Sequence, residues 1–302
     1  LARLYIQRGQ RQKAEKLLQK IAAQAPINPV GLKAKLLLAR MYQQDSDLDS
    51  AMQELKTILE HNPKDLEAMF LRGEILLHRE QPSEAIVDLR QVINEQPDRL
   101  QAYLMLAQAH LASQEPQLAL EALKQALERD PKYKPARIAL TSYHLRHRQW
   151  SKAISELNIL QKQYPKDGSV LTALGRALLA QKSYEQARQV FQELKNMEGN
   201  EAIGELNLGR VFYAEEKYDQ ALSHFARASN LSSSWEPALE GQAQALLKLN
   251  QAQKAAQLCQ GFIQEHPDNS FAHELLARIE LHRGNPKEAE NVEVTRGVRE
   301  EM

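Results

Sequence analysis

The sequence has little of what several classes of protein require. One cysteine, Cys259, among 302 residues excludes an internal disulfide and a zinc site built from several cysteines. The 39 basic and 39 acidic residues cancel, which argues against a strongly basic nucleic-acid-binding protein or a polybasic membrane protein. No apolar run approaches the ~18 residues of a membrane span, so no membrane insertion is expected. These absences leave an ordinary folded protein.

Residues that interrupt helices are also sparse. The chain has only 12 glycines and 12 prolines, and few of its residues are β-branched. Leu, Ala, Gln, Glu and Lys dominate, and all of them are compatible with helix or favour it. The composition therefore predicts helix throughout the chain.

An internal repeat of 34 residues organises the sequence. Eight alanines recur in one phase, and a proline follows most of them after 12 residues. Ten residues after this proline position lies a small residue such as Gly73 or Gly175. The alanines are Ala51, Ala85, Ala119, Ala153, Ala187, Ala221, Ala255 and Ala289. The repeat predicts stacked copies of one structural unit, because a single copy cannot bury its apolar face alone.

The period and its slots resemble the tetratricopeptide repeat, a helix-turn-helix unit. One copy matches the pattern of that repeat at Leu171, Leu174, Gly175, Leu178, Ala187 and Phe191. The next copy matches at Leu208, Gly209, Phe212, Ala221 and Phe225, but Glu205 stands in its large apolar slot. The resemblance implies an all-α fold, a right-handed superhelical solenoid of antiparallel helix pairs. More loosely, the repeats resemble tetratricopeptide scaffolds of bacterial envelope and exopolysaccharide systems.

The residue types at these positions of the repeat have physical explanations. Small residues at Gly175 and Ala187 let two paired helices approach closely, and larger ones such as Leu178 and Phe191 fill the space between that pair and the next. Proline ends the second helix because it lacks an N–H group and disfavours helix in the preceding residue.

We expect a single solenoid domain over residues 1–289. It comprises a partial repeat at 1–28, seven repeats over 32–269 and a degenerate last repeat from 270. Glu293 and Arg296 stand where apolar core residues are expected, so residues 290–302 are predicted to form a tail. The chain is interpreted as a fragment of a longer array, with any targeting signal outside it. Two uncapped apolar ends favour end-to-end self-association.

Candidate catalytic chemistry is sparse. His144 and His147 are three residues apart, but His144 falls in a core slot, and metal binding would need further ligands. Cys259 also occupies a core slot, which favours a buried, inert thiol. No phosphate-binding loop or hydrolase motif is present. We therefore expect a non-enzymatic protein without a cofactor or a metal.

The resemblance implies that the first helices line a concave groove for a partner peptide or helix. Residues spaced i, i+4 and i+7 share one face of a helix, which identifies the groove-facing slots. Phe70 and Met105 are expected to be anchors because packing does not account for them. The predicted groove residues are Arg40, Phe70, Leu71, Leu104, Met105, Gln108, Ile138, Arg176, Asn207, Arg210 and Tyr213.

A basic run provides a different hypothesis. The residues between Asp130 and Glu156 include six lysines and arginines and no acid. A solvated face is one interpretation. The other is an anion patch, formed by Lys134, Arg137, Arg146 and Arg148, that binds an acidic polysaccharide. The main prediction is a scaffold or adaptor for a protein partner, without nucleic-acid binding, in a bacterial periplasmic or envelope-associated setting. Polymer binding through the basic run is the alternative.

Overall fold

A computed structural model describes residues 1–232 and 236–292 of the chain. These residues form helices joined by short turns, and no strand occurs within the described ranges. The helices are α1 (Ala2–Gln7), α2 (Arg11–Gln24), α3 (Pro29–Gln44), α4 (Leu48–His61), α5 (Leu66–His78), α6 (Pro82–Glu95), α7 (Leu100–Ala112), α8 (Pro116–Arg129), α9 (Lys134–Arg146), α10 (Trp150–Gln163), α11 (Gly168–Ala180), α12 (Tyr184–Lys195), α13 (Glu201–Ala214), α14 (Tyr218–Leu231), α15 (Glu236–Lys248), α16 (Ala252–Glu265) and α17 (Ser270–His282). The predicted all-α fold class is confirmed.

The chain divides into two compact units, Leu1–Leu140 (unit 1) and Thr141–Met302 (unit 2). Each helix packs against the next from α1 to α8 in unit 1 and from α10 to α17 in unit 2. Odd-numbered helices, here called first helices, also contact one another, as in α3–α5–α7 and in α11–α13–α15–α17. Their shared surface within a unit is called the first-helix face. The single domain over residues 1–289 remains a prediction.

The small-residue slots bring paired helices together as predicted. Ala187 is completely buried. A Cβ atom at Gly175 would lie only 2.4 Å from the Phe191 ring, and one at Gly209 would lie 2.6 Å from the Phe225 ring. Glycine is therefore required where a first helix meets a phenylalanine of its partner helix.

A left-handed residue closes the turn inside most repeats, which the sequence analysis did not predict. In the first of these turns, Ser46 has a φ of 62° and its N–H donates to the Gln43 carbonyl, while the Asp47 N–H donates to the Tyr42 carbonyl. This pattern is the Schellman motif, which satisfies carbonyls at the end of a helix. The non-glycine residues with positive φ are 34 apart: Ser46, Glu80, Gln114, Arg148, Lys182, Glu216 and Asn250.

Helix ends mostly follow the predicted slots. α4 ends two residues before Pro63, and α8 ends two residues before Pro131. α3 begins at Pro29, three residues before the predicted repeat boundary, because the Asn28 side chain accepts hydrogen bonds from the N–H groups of Val30 and Gly31.

The last helical residues described are 286–292, and Ala289 among them is buried. Glu293 and Arg296 lie outside the described residues, so the tail at 290–302 stays a prediction. Among the described helices, none combines the length and the apolar character needed to cross a bilayer.

Candidate functional site

The first-helix face of unit 1 contains an open cleft between α5 and α7. The cleft has a volume of about 410 Å³. Three predicted groove residues line it, Leu104, Met105 and Gln108, and Leu77 adds a half-buried apolar side chain. The cleft is lined by Glu74, Leu77, His78, Gln101, Leu104, Met105, Gln108 and Ala112. The surface has the size and the mixed polarity to accept side chains of a peptide.

Two of the expected anchors are mainly core residues. Phe70 is 7% exposed and Met105 is 5% exposed, and both belong to the hydrophobic core between α5 and α9. Leu71 is also buried, in the neighbouring core cluster. The expectation that packing does not account for Phe70 and Met105 is therefore wrong. Their side chains fill the interface between neighbouring repeats, and the accessible apolar surface of the cleft comes more from Leu77 and Leu104.

Ile138 extends the apolar surface that unit 1 presents to solvent. It lies in the part of α9 that belongs to unit 1, and its side chain is 44% exposed. Leu111, at the C-terminal end of α7, is exposed to a similar extent. Single exposed apolar side chains are common on folded proteins, so exposure alone assigns these two residues no role.

Two arginines of unit 1 near this face share one carboxylate of the same unit. Arg40 forms an ion pair with Glu67 on α5. The other oxygen of that carboxylate accepts a hydrogen bond of 2.6 Å from Arg99, just before α7. The Arg99 guanidinium also covers the Phe70 ring, 3.7 Å from its centroid. Arg40 is thus placed on the predicted face with its charge already paired.

Unit 2 places two arginines and a buried amide on its first-helix face. Arg176 on α11 is exposed, and Arg210, in the same slot of α13, is half-buried. Asn207 is completely buried. Its side-chain amide donates to the Ile203 carbonyl at 2.8 Å and its Oδ1 accepts from Arg210 at 3.3 Å. Asn207 is therefore a residue that orients Arg210 and does not itself reach the surface.

A small cleft between α13 and α15 surrounds Arg210. It measures about 110 Å³, and Tyr213, Pro237 and Glu240 line it together with Arg210. Burial lowers the pKa of Arg210, and repulsion from the Arg176 charge lowers it further, while the Glu240 carboxylate acts in the opposite direction. The cleft therefore holds one arginine and one glutamate, and the partial burial of Arg210 makes its charge costly to leave without a partner.

The predicted anion patch is only partly at the surface. Arg137 is buried, and its guanidinium donates to the Pro131 carbonyl at 2.9 Å. Lys134 is half-buried in unit 1, and Arg146 and Arg148 are exposed in unit 2. The sequence pattern could not show that Arg137 faces inward, because its aliphatic stem suits an apolar environment.

The structure gives structural roles to the other chemically notable residues. His144 is buried with its Nδ1 2.8 Å from Gln149 Oε1, whereas His147 is exposed and packs on Tyr143. Burial raises the pKa of the Cys259 thiol to about 12, which makes the thiol unreactive. In the described part of the chain, no three metal-binding side chains cluster.

One buried charge was noticed in the sequence only as a departure from the repeat pattern. The Glu205 carboxylate lies 2.7 Å from Lys195 Nζ and 2.6 Å from His224 Nδ1, with Arg227 at 3.7 Å. Burial alone would raise the pKa of Glu205, but hydrogen bonds from Lys195 and His224 lower it below its ordinary value. No fixed spacing relates these partners, so sequence reasoning could not pair them.

Solved structures with this fold come from several sources. The C-terminal part of a tetratricopeptide-repeat-containing protein from Cytophaga hutchinsonii is 16% identical, with a TM-score of 0.65 over 80% of this chain and 99% of that chain. A tetratricopeptide repeat protein from Parabacteroides merdae is 16% identical, with a TM-score of 0.54 over 81% and 96%. A structure of Naa15/Naa10 bound to HypK-THB is 16% identical, with a TM-score of 0.51 over 82% of this chain and 38% of that chain. These likenesses establish the fold alone.

Family models agree with the repeat phase. Three models described as tetratricopeptide repeat match the sequence. The search of curated proteins found no match. The matched ranges are 1–60, 42–91, 80–134, 110–173, 168–234, 206–270 and 240–293. With these matches running along nearly its whole length, the chain belongs to the tetratricopeptide repeat family.

Proposed function

We propose that this protein is a non-catalytic scaffold or adaptor that binds a partner peptide or helix on its first-helix face. Tetratricopeptide repeats generally mediate protein–protein interaction, and their fold is typically a non-catalytic scaffold. The observation that carries the proposal is the cleft between α5 and α7, where Leu77 and Leu104 leave apolar surface accessible beside Glu74 and Gln108.

The two kinds of side chain in this cleft have different roles in the proposal. Leu77 and Leu104 would lose water on contact with an apolar side chain of the partner, which supplies binding free energy. Glu74 and Gln108, in the equivalent slots of α5 and α7, would orient the partner by hydrogen bonding. Phe70 and Met105 support this surface from below and hold its shape.

Several finer predictions rest on the sequence alone. They are the concave form of the groove, a bacterial envelope or exopolysaccharide setting, and end-to-end self-association. One of the four residues that the polysaccharide alternative requires at the surface, Arg137, is buried. We retain protein binding as the one proposed function.

Affinity capture with the protein, followed by quantitative binding to the captured partner, tests the proposal. Leu77→Asp with Leu104→Asp should weaken binding by about 2 kcal/mol or more, the usual effect at an interface hot spot. The matched control is Val87→Asp with Leu118→Asp, which adds the same charges on the second helices α6 and α8. Val87 is 68% exposed and Leu118 is 44% exposed.

Circular dichroism must show equal helix content in both double variants. The control should bind the partner at the wild-type affinity. Equal affinity of the cleft variant and the wild type would exclude the α5–α7 cleft as the binding site, and loss of binding in the control alone would move the site to the second helices.

A further inference from the structure

Another cleft of unit 1 lies on the side of α7 that faces the second helices. The helices α6 and α8 both pack against α7, and the cleft that they border has a volume of about 270 Å³. Leu106 and His110 of α7 form its floor, and its walls include Ile93 of α6 and Leu118 of α8. This second-helix cleft is therefore separated by α7 from the cleft between α5 and α7.

The floor of the second-helix cleft contains a buried histidine that uses one of its two ring nitrogens. The His110 side chain is only 3% exposed, and its Nδ1 lies 2.6 Å from Oε2 of Glu115. Because an ionised carboxylate can only accept a hydrogen bond, Nδ1 carries the proton, and Nε2 of the neutral ring is an acceptor. Within the described residues Nε2 has no hydrogen-bond partner, and it is not enclosed by protein. This acceptor is therefore accessible from the cleft that His110 lines.

The walls of the cleft carry one charge of each sign. Arg90 lies on α6 and Glu121 lies on α8, and both are exposed. Glu121 repels an anion and Arg90 repels a cation, so neither kind of ion is favoured. An aliphatic group would cover Ile93 and Leu118 but would leave Nε2 of His110 without a partner, which costs free energy. The site consequently fits a neutral, largely apolar group that carries a hydrogen-bond donor.

We propose that the second-helix cleft binds a tyrosine side chain of a protein partner, with the tyrosine O–H group donating a hydrogen bond to Nε2 of His110. A tyrosine ring brings a large apolar area together with one donor. Its donor stands at the tip of the side chain, so it reaches the floor while the ring lies between the walls. Arg90 can cover the ring, as Arg99 of the same unit covers Phe70 at 3.7 Å from the ring centroid.

The apolar surface beside the cleft indicates that the tyrosine belongs to a polypeptide. Val87 shares one face of α6 with Arg90 and is 68% exposed. Leu118, on the opposite wall, is 44% exposed. A single ring above His110 leaves Val87 to be covered by the residues that flank the tyrosine. The inference goes beyond the proposed function, because it concerns a different surface and does not require the cleft between α5 and α7.

Peptide probes test the site without the natural partner. The first probe is acetyl-Ala-Leu-Tyr-Leu-Ala-amide, and the second and third have Phe or Lys in place of Tyr. N-acetyl-tyrosinamide, which lacks the flanking residues, is the fourth. Titrations give the affinities, and the ¹⁵N signals of the imidazole nitrogens report on the hydrogen bond. Comparison with His110→Leu assigns the signals of His110.

We expect the tyrosine peptide to shift the Nε2 signal of His110 and to bind about fivefold more tightly than the phenylalanine peptide, as one hydrogen bond provides. His110→Leu should bind the two peptides equally, because it lacks the acceptor. This variant should fold, since the buried Leu76 occupies the position 34 residues earlier. His144→Leu, at the same position of the next repeat, is the matched control and should keep the fivefold preference.

Two double variants separate this site from the proposed function. Val87→Asp with Leu118→Asp should weaken binding of the tyrosine peptide about tenfold or more and leave binding to the α5–α7 cleft intact. Leu77→Asp with Leu104→Asp should have the opposite effects. Loss of the tyrosine peptide in the second variant alone would overturn the second-helix cleft as its site. Failure of the proposed function would appear with the captured partner and not with these peptides.

Four further results would each overturn the proposal. They are the absence of any response to the tyrosine peptide, equal wild-type affinity for the tyrosine and phenylalanine peptides, and a free-protein spectrum in which Nε2 of His110 carries the proton. The fourth is tighter binding of the lysine peptide, which would make the ligand a cation. Binding of N-acetyl-tyrosinamide as tightly as the peptide would overturn the assignment to a polypeptide.

Discussion

The first-helix faces of the two units have the same helical framework but present different side chains. In unit 1 Leu77 and Leu104 leave apolar surface accessible in the cleft between α5 and α7, and Arg40 is paired with Glu67. In unit 2 the corresponding slots present Arg176 and Arg210, and within residues 1–232 and 236–292 neither of them forms an ion pair, although Glu240 lines the cleft of Arg210. The helices, turns and buried small residues recur in both units. The comparison shows that the repeat determines where a side chain is presented and leaves its chemistry free to vary.

The supporting architecture of the two units should respond alike to overpacking, which is the largest effect we predict. Ala187→Leu in unit 2 and Ala85→Leu in unit 1 insert a large side chain at completely buried positions. Each should lower the free energy of unfolding by ~1–3 kcal/mol. Because repeats are stabilised mainly by their neighbours, thermal melting should broaden or split.

Exposed positions next to these alanines provide the control. Gln186→Leu on α12 and Glu84→Leu on α6 add similar side chains where the helix faces solvent. Melting of Ala187→Leu at the same temperature as Gln186→Leu would contradict the close approach of the paired helices.

The charge of unit 2 should influence how fast a partner binds. Arg176→Glu with Arg210→Glu should slow association with the captured partner about tenfold at low salt, because exposed charges act mainly on encounter. The effect should shrink as salt screens the charges. Leu77→Asp with Leu104→Asp in unit 1 should instead speed dissociation. Stopped-flow or surface plasmon resonance measurements at two salt concentrations separate the association rate from the dissociation rate. Identical salt dependence in both variants would contradict the different roles assigned to the two units.

The buried carboxylate of unit 2 should make stability depend on pH. Because the folded-state pKa of Glu205 is lowered, its stabilising effect is present above its unfolded pKa of about 4.3. It is lost as the pH falls through the folded value. Glu205→Gln should cost about 1 kcal/mol at pH 7, the difference between charged and neutral hydrogen bonds. Denaturant melts from pH 7 to pH 3 should show the variant and the wild type converging in acid, and a constant difference would contradict the assignment.

The turns should give the smallest effect and should again be alike in both units. Gln114 and Lys182 have positive φ angles of 61° and 64°. Gln114→Gly and Lys182→Gly should each stabilise the protein by ~0.5–1 kcal/mol, since the relief of left-handed strain exceeds the added entropy of the unfolded chain. Chemical denaturation measures this change. Destabilisation by both glycines would contradict the prediction, because the added entropy of the unfolded chain would then exceed the relief of strain.

Much of the fold could be predicted because it depends on local, periodic constraints. The alanines and glycines between paired helices, such as Ala187 and Gly175, and the prolines after second helices recur with a fixed spacing. The left-handed turns were missed because ordinary residues occupy them, as Lys182 and Arg148 do. Their conformation follows from the way a helix ends and not from residue type.

The candidate site was harder to predict because helical spacing gives the direction of a side chain but not its burial. Phe70 and Met105 point to the predicted face yet lie within the core between repeats. Arg40 and Arg176 occupy the same slot, and only the structure shows that Glu67 neutralises the first. Contacts between helices that lack a fixed spacing, such as Glu205 with His224, have no signal in a single sequence.

The central claim is that the first-helix face, and not the basic run, binds the partner. The most direct test compares binding of the captured partner by Leu77→Asp with Leu104→Asp and by Arg146→Glu with Arg148→Glu, each at low and at high salt. We predict that the first variant loses binding at both salt concentrations and that the second binds like the wild type. Abolished binding in the second variant, a steep fall of wild-type affinity with salt and full affinity of the first variant would contradict the account.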